Sequence, residues 1–308
     1  MTRGLGRGST PLAGPKSAMR RLWRLAAATL AIAACGAPAP GAGEAREANA
    51  AVAGSLFAAR PDVRRSLPGG VSEVSGLAAT ADGRLLAHDD ERAIVREISL
   101  ETGAFVKSFA IGAPIEKGDF EGIAVAPGGD VYLTTSAGRL YRFREGENGA
   151  QVPFTVVETG LAPLCEVEGL AYHAASDSLI FACKEMLARG RRDEVALYAW
   201  SRRDGRLSTT PWRGGPMARF ATAAGVEGFH PSSVDIDPAT GRIVLLAARE
   251  RAMVELAPDG AVLSGRRLGG GHPQAEGAAI MPDGALVIAD EAPKKVSAQI
   301  ARYPRQND

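Results

Sequence analysis

Three glutamates stand at matching places in short apolar segments: Glu121-Gly122-Ile123, Glu168-Gly169-Leu170 and Glu276-Gly277-Ala278. Carboxylates that face one another at a single opening repel, which raises their pKa values unless a cation sits between them. Calcium suits such a set, because it takes several oxygen ligands at flexible geometry. The same residues have a plainer use, capping backbone amides within their own segments. A second acidic group follows the next apolar run: His88-Asp89-Asp90-Glu91, Lys184-Glu185, Arg249-Glu250 and Asp290-Glu291. From it, Asp90 and Asp290 are the candidates to join a ligand shell, and Lys184 to neutralise a carboxylate or hold an anion. Glu91, Glu250 and Glu291 read as solvated loop charges. His230 and His272, each just before a proline, have the chemistry of a general base but the setting of loop residues. No Gly-x-Ser-x-Gly elbow, His-Glu-x-x-His helix or phosphate loop occurs, and aromatics are too sparse for a sugar-stacking platform.

A repeat brings the glutamates to one place. With Gly76, Gly122, Gly169, Ser233 and Gly277 as markers, the spacings are 46, 47, 64 and 44 residues. A period near 45 with strand-like content is the signature of a β-propeller. Each unit reads as four strands with tight turns between them. In the first, these are Gly76–Ala79, Arg84–His88, Ile94–Ser99 and Phe105–Ile111, with turns at Asp82-Gly83 and Glu101-Thr102-Gly103. The third unit places its last strand over Leu207–Trp212. An insertion at 214–229, with a short helix expected around Met217–Ala224, accounts for the long spacing. The fifth unit ends after Ala298–Tyr303 and lacks its last strand. The segment Leu56–Leu67 is the donor that would close the ring and remove a free edge. The expectation is therefore an all-β, five-bladed propeller. A six-bladed alternative needs another unit within 40–70 or 214–229, and both are too short. The first strand of each blade lines the channel. Its crowded start explains the glycines and puts Glu121, Glu168 and Glu276 at the channel mouth, with Ser75 and Ser232 in the same position of the other two units.

The ends carry a different message. Arg20, Arg21 and Arg24 precede a short apolar run, Leu25 to Ile32, too short to span a bilayer, and Ile32-Ala33-Ala34-Cys35-Gly36 follows the pattern of a bacterial lipobox. Residues 1–35 read as a lipoprotein signal peptide with an upstream extension, Met19 as the start of translation and Cys35 as the lipidated residue; an ordinary secretory signal is the alternative. Residues 36–54 read as a flexible tether and 55–308 as the propeller domain. Without 1–35 the chain holds 30 basic and 35 acidic residues, a net charge of −5. That leaves no basic patch for nucleic acid, and a lipid anchor is the only membrane contact expected. Cys165 and Cys183 flank one expected hairpin and form a disulfide if exported, or remain two buried thiols.

With the units aligned, the chain resembles the SdiA-regulated, or YjiK/CarP-like, family of extracytoplasmic β-propellers over roughly residues 65–305. The residues that carry this are Glu73–Leu77 with Asp89-Asp90-Glu91, Asp119–Ile123, Cys165–Leu170 with Cys183-Lys184-Glu185, and Gln274–Gly277 with Asp290-Glu291. The resemblance implies a propeller and suggests a calcium connection. Two functions are expected from residues and resemblance together. The first is a lipid-anchored binding module of the periplasm, at the outer membrane, that presents an acidic, calcium-holding mouth to a small molecule or envelope protein. The second is a metal-dependent hydrolase, phytase-like or lactonase-like. Basic side chains to hold a polyanion are concentrated only at Lys184 and Arg189–Arg192, which favours the first.

Overall fold

Twenty-two strands account for nearly all the regular structure of the computed structural model, which describes residues 54–68, 74–292 and 296–306. The segments expected to be a signal peptide and a tether, up to residue 53 and with Cys35, lie outside the described residues, as does Glu73. Strand β1 (Val63–Ser66) comes first. Blade 1 is β2 (Gly76–Ala79), β3 (Leu85–His88), β4 (Ile94–Ile98) and β5 (Phe105–Ile111). Blade 2 is β6 (Phe120–Ala126), β7 (Asp130–Thr135), β8 (Arg139–Arg144) and, after the short β9 (Gln151–Val152), β10 (Phe154–Glu158). β9 leaves its own blade and pairs in parallel with the outer edge of β5.

Blade 3 is β11 (Cys165–His173), β12 (Ser178–Met186) and β13 (Glu194–Ser201), with its outer place shared by β14 (Arg206–Leu207) and β15 (Arg213–Pro216). This corrects the expected strand Leu207–Trp212. Pro211 has no N–H to offer a ladder, so the edge breaks there and resumes at Arg213, opposite Leu197. Helix α1 (Met217–Ala224) follows where expected, stopped by Gly225 in the left-handed conformation (φ 67°) and burying Phe220, Ala221 and Ala224. Blade 4 is β16 (Ser233–Ile236), β17 (Ile243–Ala247), β18 (Ala252–Leu256) and β19 (Val262–Arg267). Blade 5 is β20 (Ala275–Ile280), β21 (Leu286–Asp290) and β22 (Gln299–Tyr303), and its fourth strand is β1.

The pairing of β1 with β22 is antiparallel, from Val63 opposite Arg302 to Ser66 opposite Gln299, and Phe57 bridges to Arg305 beyond it. The five inner strands β2, β6, β11, β16 and β20 each pack on the next, and β20 returns to β2. Five apolar clusters fill the five junctions between neighbouring blades. The chain is a five-bladed β-propeller. The alternation of apolar and polar residues is weak in the inner strands because both faces are covered, one by each neighbouring blade. Full burial of such side chains contributes about 1.5–3 kcal/mol each.

The closing arm does more than supply β1. Leu56 and Phe57 are buried in the junction of blades 4 and 5. Glu255 of β18, itself buried, accepts hydrogen bonds from the Leu56 N–H (2.8 Å), Ser55 Oγ and Ser264 Oγ (3.1 Å). The arm is thus fastened to blade 4 as well as to blade 5.

Candidate functional site

The three glutamates reach the channel mouth through one backbone device. The register of β6 against β7 slips between Phe120 and Gly122, that of β11 between Val167 and Leu170, and that of β20 between Ala275 and Gly277. Each slip is a β-bulge, in which Glu121, Glu276 or, in β11, Glu168 together with Gly169 is left unpaired. A bulge turns a side chain out of the pleat and re-aims it. The inner strands that follow Ser75 and Ser232, β2 and β16, pair without a slip. The glycine that follows each glutamate is required by close approach. A Cβ on Gly122 would lie 2.6 Å from the Leu170 nitrogen, one on Gly169 3.0 Å from that of Val234, and one on Gly277 2.7 Å from Leu77 Cγ.

The electrostatics follow from this crowding. Burial, with the charges of Glu168, Asp119 and Glu276 added, pushes Glu121 up to about 9. Glu276 is pushed up to about 8 by burial and by its hydrogen bond with Glu291, against the pull of Gln274 and Lys184. Glu168 stands at about 7, raised by burial and held down by Lys184. Lys184 is ion-paired with Glu168, and its Nζ lies 3.6 Å from Glu166. Burial works against the Lys184 charge, but Glu168, Glu166 and Glu121 more than offset it and hold its pKa above the ordinary value. A cavity of about 300 Å³ opens beside the pair, lined by Glu168, Lys184, His230, Arg249, Arg251 and Glu276.

Other candidates fall elsewhere. Asp290 is turned away from the mouth: fully buried, it takes a 2.7 Å hydrogen bond from His272 Nδ1 and a 3.3 Å one from the Gln274 N–H. Its hydrogen-bond partners are His272, Gln274 and Gln299, and none of the three glutamates is among them. Asp90 accepts the Glu91 N–H (2.6 Å) and caps its own turn, with no hydrogen bond or ion pair to the glutamates. Glu250 is no solvated loop charge, since it holds His230 by Nδ1 (2.6 Å) and by the backbone N–H (3.1 Å). Glu291 accepts from Gln274 Nε2. His272 stands on the loop between β19 and β20, as expected, and is buried there.

Two residues escaped the sequence reading. Arg251 sits at φ 50°, a conformation that costs a non-glycine residue energy, and lines the mouth cavity. Asp235 lies deeper in the channel and accepts N–H bonds from Ile236 (2.8 Å) and, across the blade junction, Ile280 (2.6 Å), with its pKa pushed to about 7 by burial. A larger cavity, about 780 Å³, opens on the opposite face among Pro127, Tyr172, His173 and Pro238. Its charged lining residues are already satisfied: Arg84 pairs with Asp82 and Glu145, and Asp237 with Arg305. The mouth is the stronger candidate because two of its glutamates, Glu121 and Glu276, make no ion pair among the described residues.

Among the described residues no three His, Cys, Asp or Glu side chains converge so as to hold one metal ion. Lys184, Arg249 and Arg251 are the cations that line the mouth cavity, and Lys184 is the one paired with a glutamate of the set.

Cys165 and Cys183 form a disulfide, with Cα atoms 5.6 Å apart, across the hairpin of β11 and β12. It spans the β11 bulge that presents Glu168, one residue ahead of Lys184. Closing an 18-residue separation restricts the unfolded chain by about 3 kcal/mol. Reduction is therefore expected to lower the melting temperature by about 6–12 °C and to loosen the Glu168–Lys184 pair. A calorimetric scan with and without reductant measures this, and equal curves would show that the hairpin holds without the bridge.

No family model and no curated protein matches the chain. Solved structures do. A luciferin-regenerating enzyme superposes with a TM-score of 0.52 at 10% identity, over 79% of this chain and 95% of that one. The PQQ-bound aldose sugar dehydrogenase of Streptomyces coelicolor gives 0.52 at 14%, over 79% and 97%. The glutaminyl cyclase of Myxococcus xanthus gives 0.51 at 14%, over 80% and 100%. At such identities the likeness is one of fold.

Proposed function

We propose that this protein is a lipid-anchored binding module of the cell envelope, in the manner of the SdiA-regulated propellers it resembles, whose channel mouth takes the cationic group of a small ligand in exchange for protons. One observation carries this reading. Glu121 and Glu276 are drawn into the mouth from two blades, and neither makes an ion pair among the described residues. With pKa values of about 9 and 8, both hold protons at neutral pH. A ligand cation entering between them supplies the charge that their burial lacks and drives those protons off.

Calorimetric titration at pH 7 and pH 8.5 with two probes, calcium chloride and 1,4-diaminobutane, tests the proposal. Affinity for at least one probe should rise, by up to about tenfold per pH unit for each proton displaced, and the buffer should take up protons. The Glu121→Gln, Glu276→Gln double variant should lose the response. Absence of binding by both probes at pH 8.5, or equal binding by the variant, would remove the mouth as the site. The choice between probes decides between a metal and an organic cation.

A further inference from the structure

A second charged cavity, of about 240 Å³, lies where the ring is closed, among Ala59, Arg64, Arg266, His272 and Tyr303. No carboxylate lines it. Arg266, on β19, is largely buried, and burial lowers its pKa. Its Nη1 donates to the Ala58 carbonyl (2.9 Å) and its guanidinium carbon lies 5.4 Å from the centre of the Tyr303 ring. Its Nη2 is buried with no hydrogen-bond partner. The nearest acid that it senses, Glu255, is occupied by Ser55, Leu56 and Ser264. Arg64, on β1, donates from Nη1 to the Gly271 carbonyl (2.6 Å) and Gln299 Oε1 (3.1 Å) and likewise has no carboxylate partner. The Tyr303 ring is fixed from behind, since its hydroxyl meets His272 Nε2 at 2.5 Å and His272 Nδ1 meets Asp290 at 2.7 Å.

An arginine keeps its charge when buried, and a buried charge without a counter-ion is costly. Among the described residues no carboxylate forms an ion pair with Arg266, Glu255 acts on it only through its charge, and a cavity stands beside the unsatisfied N–H. We infer that this cavity binds a small oxyanion, a phosphate or a carboxylate, through charge-assisted hydrogen bonds from Arg266, with Arg64 as the second cation. Its size admits a single phosphoryl or carboxylate group. The ligand would join three pieces of chain: blade 4 through Arg266, the last strand through Tyr303, and the closing arm through Arg64.

Melting curves and calorimetry with sodium phosphate and with sodium acetate, against sodium chloride at matched ionic strength, provide the test. At a hundredfold excess over Kd, phosphate or acetate should raise the melting temperature by about 5–10 °C. Arg266→Gln should abolish the shift. Arg64→Gln, at an exposed position, should weaken binding about tenfold and serves if the first variant fails to fold. A response to phosphate alone or to acetate alone supports the site and identifies the group. A shift no larger than that with chloride, or one that survives both substitutions, would overturn the inference.

Discussion

Glu121→Gln should make the protein more stable than the wild type at and above neutral pH, by on the order of 5 kcal/mol at pH 8. The reason lies in the proton that the mouth holds. Glu121 has a pKa of about 9 in the folded protein and the ordinary 4.5 when unfolded. Between these values the folded state binds a proton that the unfolded state releases, so stability falls as pH rises. Its contribution is full below pH 4.5 and is lost as pH climbs through 9. Each raised group adds up to about 1.4 kcal/mol per pH unit within its window. Glu276, with a value of about 8, acts in the same direction. Glutamine keeps the shape and never ionises, so the variant's melting temperature should fall less steeply from pH 6 to 9. Parallel profiles for variant and wild type would mean that the Glu121 carboxylate is ionised and solvated in the folded protein.

Phe57→Ala is the second change with a large expected effect. The ring is fully buried where blades 4 and 5 meet, and its loss leaves a cavity between two sheets that cannot close up. Such truncations cost about 3–5 kcal/mol, which for a domain of this size lowers the melting temperature by about 6–15 °C. Removal of 55–67 goes further, since it takes away the Glu255 clamp, Leu56, Phe57 and the four paired residues of β1 together. That truncated chain should lose its cooperative transition. An unchanged unfolding midpoint would refute closure by the arm. A midpoint reduced in Phe57→Ala alone would locate the fastening in the packing of the arm rather than in the β1 ladder.

Most of the architecture was legible in the chain. Five strand starts at regular spacing, glycine turns such as Asp82-Gly83 and a last unit one strand short are local signals, and local signals survive translation into sequence. The helix Met217–Ala224 was equally plain, an alanine-rich run ending at Gly225. The split outer edge of blade 3 was not read, although Pro211 announced it. Side-chain direction was the harder matter. Glu121, Glu168 and Glu276 could be matched as a set from sequence, but the bulges that carry them are set by pairing with a second strand, which no single segment displays. Asp290 shows the converse. It shares the neighbourhood of an acidic loop in sequence, yet its partner is His272, 18 residues away on another loop. The partnering of Glu250 with His230 is likewise a meeting of residues 20 apart, fixed only once blade 4 has folded.

The fastening of the closing arm also determines how the molecule answers to mechanical force. A pull on the chain ahead of Gly54 arrives first at Ser55 and Leu56, where their bonds to Glu255 pass the tension into the body of blade 4. Phe57, wedged at the junction and bridged to Arg305, comes next. Only when these give way does β1 begin to peel from β22. The ladder that closes the ring is therefore shielded from traction by an anchorage upstream of it. Motion or drag transmitted along the N-terminal chain would strain a clamp on blade 4 before it opened the propeller.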